Sequence, residues 1–447
     1  MSKKPFIYFD NNATTAICPL AKKTLIEWLG CYNASSDSKI ALPAKQLLVK
    51  AIDATLEQCN VSRATHTVIF TSGGSESNSY MIRACCHAYK KKLYERHSEL
   101  RPHVILSAIE HNTSMDCVKK LVDGHDADVT FIQPTIYGNI LPEDIELAIK
   151  PNTCLISIMY ANNEIPVINN IKEIGEIAHK HRIPLHSDCV QLFGKYKINM
   201  SGDNIDALSV SAHKFYGPKG IGILVLSNIL IEGYGLEALI NGTQQGGLRG
   251  GTENIPAIAS MMAALKYAFT NRKKKNMRLF ELRDYLLDKL EKYYNFKELT
   301  DYIEENFDGT LKTSDFKNDI VLGASEKNKK VIKKDEDIQL ISLGPPRDKK
   351  NFILPNTILL AICKPKGRPF CNVELKKYLD SKNIVVSIGS ACLTKEKHAS
   401  HVLTAIGAPP IVKRGVIRIS FSDNSTFHEI DEFFQVLKQA IDKQKDH

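Results

Sequence analysis

The 447-residue chain has no run of 18 or more apolar residues, which excludes an ordinary transmembrane helix. Its opening stretch, MSKKPFIYFDNNATT, has no apolar segment before Asp10 and is not rich in Arg and Ser. Neither a secretory signal nor a transit peptide is expected, and the expected location is cytoplasmic. No two cysteines have C-x-x-C spacing, so structural zinc is not expected. The eleven cysteines, an odd number, read mostly as reduced core thiols. Cys85 and Cys86, followed by His87, lie in an apolar helical stretch and read as core. Internal repeats and coiled-coil heptads are absent. Basic residues are not interleaved with aromatics. The net charge of +9 sits largely in 271–276 and 325–337, which read as solvated faces or loops, so nucleic acid is not an expected partner.

What is present is an alternation of short β-branched runs and helical stretches from about residue 68. Candidate strands are 67–72, 103–108, 128–133, 154–161, 183–188, 207–212 and 220–226. The pattern predicts an α/β fold: a mostly parallel, buried seven-stranded sheet with helices on both faces. The last two runs flank the tight loop KFYGPKG, which predicts an antiparallel pair. A helical bridge over 253–294 leads to strands near 357–363, 384–388 and 415–421 and a helix over 427–443, a small α+β unit. The expected division is a large domain over 16–270 and a small one from 1–15 and 271–447. Residues 300–350, rich in Lys, Asp and Asn, read as a surface insertion.

Four strand ends carry unusual polar residues, where open α/β sheets place ligands. TSGGSESN (71–78) puts glycines at a strand-to-helix turn, which suits an anion. It lacks the lysine of a nucleotide P-loop, so a single phosphate group fits better. HSDCVQ (186–191) ends a strand with Asp188, a carboxylate that needs a cationic partner when buried. SVSAHKFYGPKG (209–220) holds Lys214 where an apolar setting can free its amine for covalent chemistry. A lone lysine there would more often snorkel. Together the three supply what pyridoxal 5′-phosphate needs: an amine for its aldehyde, an acid for its ring nitrogen and a phosphate cup. IEHNT (109–113) adds His111, which can stack on a ring and move protons, or simply cap a helix.

YFDNNATT, FTSGGSESN, EHNT, MYANNEIPVI, HSDCVQLFGK, SAHKFYGPKGIG, RGGTEN, LPNT, GSAC and IRISFS follow one another along the chain. In this order they resemble the class I, NifS-like cysteine desulfurases, fold-type I pyridoxal-phosphate enzymes. The resemblance spans nearly the whole chain apart from about 300–350. It implies that Lys214 holds the cofactor covalently, Asp188 keeps its ring nitrogen protonated and Gln191 bonds its ring oxygen. It implies that His111 stacks on the ring and assists proton transfer, and that Asn163 lies between cofactor and substrate. Gly74, Ser75, Ser211 and His213 would hold the phosphate. Thr252 would reach the phosphate of a neighbouring subunit, implying a homodimer. Arg418 would clamp the substrate carboxylate. Cys392, in a loop resembling the longer form in this family, would attack the sulfur of L-cysteine, releasing alanine and keeping a persulfide. The sulfur would pass to an acceptor such as an iron–sulfur scaffold or a tRNA-thiolating enzyme.

The sequence departs from the family pattern in places. NASSDSKIA (33–41) has Ala34 where a proline is usual and Ser38 near an expected histidine, an irregularity shared with selenocysteine lyases. Selenocysteine is therefore the alternative substrate. The loop LTKEKHAS after Cys392 is unusually charged, which leaves the acceptor open. A further alternative is a non-catalytic role as a sulfur-pathway binding partner, which loss of Lys214, Cys392 or Arg418 would have favoured; all three are present.

Overall fold

The computed structural model describes residues 5–97, 99–306, 335–364, 370–388 and 400–445. A short strand, β1 (Ile7–Tyr8), opens the described chain, and the next seven strands form the main sheet. These are β2 (His66–Thr71), β3 (His103–Ser107), β4 (Asp128–Ile132), β5 (Thr153–Ser157), β6 (Leu185–Asp188), β7 (Ala207–Ser211) and β8 (Gly222–Ser227). Their order is β2-β8-β7-β6-β5-β3-β4, and β8 alone runs antiparallel to its neighbours. Each of the seven expected strands is found, including the antiparallel pair around the Gly/Pro loop.

The strands form because their residues are covered on both faces. In β3, β5, β6, β7 and β8 every residue is buried. That is why β3, β5 and β8 read as near-continuous apolar runs rather than alternating ones, while β6 and β7 bury polar residues such as His186, Asp188 and Ser209. One face packs against helices Leu42–Gln58 and Ile255–Phe269, the other against Gly74–Glu95 and Asn112–Asp123. β5 stops at Ser157, short of the expected 161. The chain still runs beside β6, with Ile158 and Tyr160 amides donating to the carbonyls of His186 and Asp188.

The second sheet has five strands in the order β13-β14-β11-β10-β9. They are β9 (Tyr294–Glu298), β10 (Asp335–Ser342), β11 (Thr357–Cys363), β13 (Ser387–Ile388) and β14 (Val416–Ser420), and β12 (Ile384–Val385) pairs with β1 instead. Helices Arg272–Tyr293 and Phe427–Lys445 cover this sheet with Leu282, Leu286, Phe433 and Leu437. The insertion expected over 300–350 needs correction at both ends. Leu299–Asn306 is a helix, and β10 lies between β9 and β11 with Ile338, Leu340 and Ile341 buried. The Lys- and Asp-rich composition belongs largely to 307–334, outside the described residues.

Residues 9–15 strap the two sheets together. Ser420 donates its amide to the Phe9 carbonyl at 2.7 Å, and Thr15 donates its amide to the His213 carbonyl at 2.9 Å. No helix among the described residues is long and apolar enough to cross a membrane.

Candidate active site

Lys214 ends a single 3-10 turn, Ala212–Lys214, directly after β7. Gly217 closes the turn by donating its amide to the Ala212 carbonyl, and a Cβ there would stand 2.8 Å from that oxygen. The Lys214 amine is thereby aimed at the strap, where it donates to the carbonyls of Asn12 at 2.5 Å and Ala13 at 2.8 Å. Its pKa is pushed down to about 8, first by burial and then by the positive charge of Arg418; Asp188 and Asp10 oppose the shift. A depressed amine of this kind is partly unprotonated near neutral pH, the state that attacks an aldehyde.

Asp188 closes β6 and is buried. One oxygen accepts from Asn78 Nδ2 at 2.6 Å and the other from the Val190 amide at 2.9 Å. Three residues on, Gln191 donates Nε2 to the Asn12 carbonyl at 3.0 Å, while its Oε1 is buried with no partner among the described residues.

Helix Gly74–Glu95 begins at the end of β2 without a side-chain cap on Gly73. Its N-terminus lies against the chain after Asp188: a Cβ on Gly74 would meet Val190 Cγ2 at 2.7 Å and Ser211 Cβ at 3.7 Å. Uncapped amides, the helix dipole and the absent side chain make a cradle for a phosphate-sized anion. Ser75 accepts from Thr113 Oγ1 at 3.1 Å, linking the cradle to His111. His213 approaches Thr14 Oγ1 with Nδ1 at 3.1 Å, its pKa pushed down to about 4 by burial and by Lys214 and Lys219.

His111 is exposed and caps helix Asn112–Asp123, its Nδ1 accepting from the Thr113 amide at 3.2 Å. The capping contact is therefore present, and the ring that makes it is solvent-exposed. Arg418, in the middle of β14, reaches the same strap from the second sheet. Its Nη2 donates to Asp10 Oδ1 at 2.6 Å and its Nη1 to the Asn163 carbonyl at 2.8 Å; Nε is buried and has no partner among the described residues. Thr252 is exposed. The loop before it is pinned in its own chain by Arg249, whose Nε lies 3.0 Å from Glu76 Oε1, and by Gln245, which bonds both backbone groups of Phe70. Cys392 lies outside the described residues.

Sequence reasoning missed the residue at the centre. Asn12 accepts from Lys214 and Gln191 with its carbonyl. Its side chain donates to Thr357 Oγ1 at 2.9 Å and Asn163 O at 3.3 Å and accepts from Asn356 Nδ2 at 3.0 Å. Glu110 was missed too. It is fully buried, accepting from Ser107 Oγ at 2.5 Å and the Met159 amide at 2.7 Å, with Oε2 lacking a partner among the described residues.

The aminotransferase class-V family model matches residues 7–311. A cysteine desulfurase IscS from Methanosarcina thermophila is 30% identical over 448 aligned positions, covering 98% of this chain and 92% of that protein. The chain is a class-V aminotransferase of the cysteine desulfurase branch. This branch depends on pyridoxal 5′-phosphate, and the fold is fold-type I. Among solved structures, a NifS-like protein from Rickettsia africae aligns with TM-score 0.74 and 25% identity, covering 98% of this chain and 99% of the other. A structure described as SspA in complex with cysteine aligns with TM-score 0.67 and 27% identity, covering 94% of this chain and 100% of the other.

The residues present fit the cofactor of this cysteine desulfurase family. The depressed Lys214 amine and Gln191 meet at Asn12 of the strap, while the buried Asp188 carboxylate is held by Asn78, from the helix that Gly74 opens, and by Val190, against which Gly74 packs.

Proposed function

We propose that the enzyme converts L-cysteine to L-alanine and leaves a persulfide on Cys392. The observation that carries this reading is the meeting of Lys214 and Arg418, from different sheets, on the strap at 10–13. An amine for the cofactor and a guanidinium for a carboxylate at one place describe an amino-acid substrate.

When bound, pyridoxal phosphate supplies an electron sink that lets bonds at and beyond the amino-acid Cα break. Lys214 would hold it, Asp188 would keep its ring nitrogen protonated, and Gln191 would bond the ring oxygen. Gly74, Ser75, Ser211 and His213 would hold its phosphate. Arg418 would bind the substrate carboxylate beside Asn163, and His111 would lie over the ring and move protons. Cys392 would attack as the thiolate. A sulfur–sulfur bond forms, the carbon–sulfur bond of the substrate breaks, and its electron pair leaves with the three-carbon fragment, which is protonated to alanine. β13 ends at Ile388, four residues before Cys392 and opposite Ile417. So short a chain spans at most about 14 Å, which supports delivery of the thiol to Arg418.

The finer biology follows the same reading. A persulfide serves an acceptor, an iron–sulfur scaffold or a tRNA-thiolating enzyme. Ten cysteines among the described residues are free thiols, which supports a reducing cytoplasmic setting. Ile26, Leu29, Tyr32, Ile40, Leu42 and Val49 are large, apolar and exposed on neighbouring segments. They support a homodimer, in which Thr252 would serve the partner subunit's phosphate. The proposed large domain is 16–270 and the small domain 1–15 with 271–447.

The test is alanine and sulfide release from L-cysteine with a reductant, by wild type and Cys392→Ser, each first checked for yellow cofactor absorbance. Release by wild type alone supports the reading; a yellow wild type that releases neither product overturns it. A second reading, selenocysteine lyase, is favoured by the loop at 33–38, where Ala34 is buried and Ser38 offers only a hydroxyl, bonded to Ser36. A turnover ratio strongly favouring selenocysteine would establish it.

A further inference from the structure

The chain that follows the Cys392 segment is fixed to the site. Ser400 caps the short helix His401–Ala405, accepting from the Leu403 amide at 3.2 Å, and donates its hydroxyl to Glu164 Oε2 at 2.6 Å. His401 approaches the backbone carbonyl of Glu110 with Nε2 at 2.8 Å. A carbonyl only accepts, so Nε2 is the protonated nitrogen.

The two acceptors occupy telling places. Glu110 immediately precedes His111, and Glu164 immediately follows Asn163. Their loops are joined by Asn162. Its Nδ2 donates to the Ile109 carbonyl at 2.8 Å, and its Oδ1 accepts from the amides of Glu164 at 2.7 Å and Ile165 at 3.0 Å. Ser400 and His401 therefore grip one hydrogen-bonded unit that carries two candidate site residues.

We propose that His401 is a positioning residue for sulfur transfer. Its bond to the Glu110 carbonyl, beside that of Ser400 to Glu164, fixes the far end of the nucleophile's segment against the loops of His111 and Asn163. The proposal rests on the reading of Cys392 as nucleophile. A five-residue helix has no stability of its own, so its contacts decide whether it forms. Val402 and Leu403 are buried and hold the helix in the core regardless of the imidazole. What His401 adds is direction. Ser400 is eight residues beyond Cys392, so by chain length alone its anchored position bounds how far the thiol can lie from the loops of His111 and Asn163.

The acceptor is a backbone atom, so the donor is the group to change. His401→Phe keeps an aromatic ring and removes the donor; His401→Gln restores an N–H on a side chain of similar reach. Holoenzyme is mixed with L-cysteine, and two signals are followed: the visible absorbance change on substrate binding, and alanine formation. The expected result for H401F is a wild-type absorbance change with alanine formation slowed on the order of tenfold, and most of that loss recovered in H401Q. Wild-type alanine formation by H401F overturns the proposal. So do equal losses in H401F and H401Q with the absorbance change also impaired, the mark of a merely structural role. If H401F does not load cofactor, His401→Asn, whose amide falls short of the carbonyl, takes its place, and a wild-type rate there is equally fatal. Failure of the wild type itself to form alanine would instead strike the desulfurase reading.

Discussion

Arg418 and Asp10 are 408 residues apart in sequence and 2.6 Å apart in space. The aspartate neutralises a largely buried guanidinium and sets the direction of its fork, while the Asn163 carbonyl takes a second donor. A guanidinium so oriented is ready for a carboxylate.

If Arg418 binds the substrate carboxylate, Arg418→Ala raises the KM for L-cysteine on the order of a hundredfold while the yellow cofactor absorbance persists. Asp10→Asn leaves the guanidinium in place but less well held, and a rise of roughly tenfold is expected. Steady-state kinetics on both variants checks this. A KM unchanged in R418A would remove Arg418 from substrate binding.

Lys214 titrates near 8 because burial and Arg418 disfavour its charged form. Capture of added pyridoxal phosphate by the apoenzyme should therefore accelerate as pH rises through about 8, where the amine loses its proton. The two neighbours pull in opposite directions. R418A removes a positive charge and should move the midpoint up. D10N removes a negative charge and should move it down. Absorbance-detected capture across a pH series reads both shifts, and a common direction would contradict this assignment.

Glu110 has its pKa pushed up to about 8, chiefly by burial, against the opposing bonds from Ser107 and Met159. Between its ordinary value of 4.5 and about 8 the folded state holds a proton that the unfolded chain has released. Stability from this group is thus fully present below 4.5 and is lost as pH rises through 8. Glu110→Gln, which cannot ionise, should show a smaller fall in Tm between pH 5 and 8 than wild type. Thermal denaturation of both proteins at the two pH values measures it; parallel falls would show that Glu110 does not titrate there.

The main sheet was legible because its strands are buried on both faces, so Val104–Leu106 or Ile223–Leu226 stand out as apolar runs without a partner in view. Asp188 and Lys214 were legible because charged residues at the ends of such runs need a reason. β10 was not. Its buried Ile338, Leu340 and Ile341 make a short signal beside a lysine-rich stretch that dominates local composition. Asn12 carried no signal because it meets Lys214 through a backbone carbonyl, which every residue possesses, and its side-chain partners lie more than 150 residues away. Glu110 sat inside a quoted stretch, but that a glutamate will be buried cannot be read from one sequence.

The strap at 9–15 joins the beginning of the chain to β14, near its end. During synthesis, Lys214, Asp188 and the glycine cradle all leave the ribosome at least 204 residues before Arg418. The residues proposed to hold the cofactor are thus all made while nothing yet stands opposite Asp10. If Arg418 seats the substrate carboxylate, the order of translation separates the two halves of the site, and an unfinished molecule that ends before Arg418 would have nothing to seat cysteine.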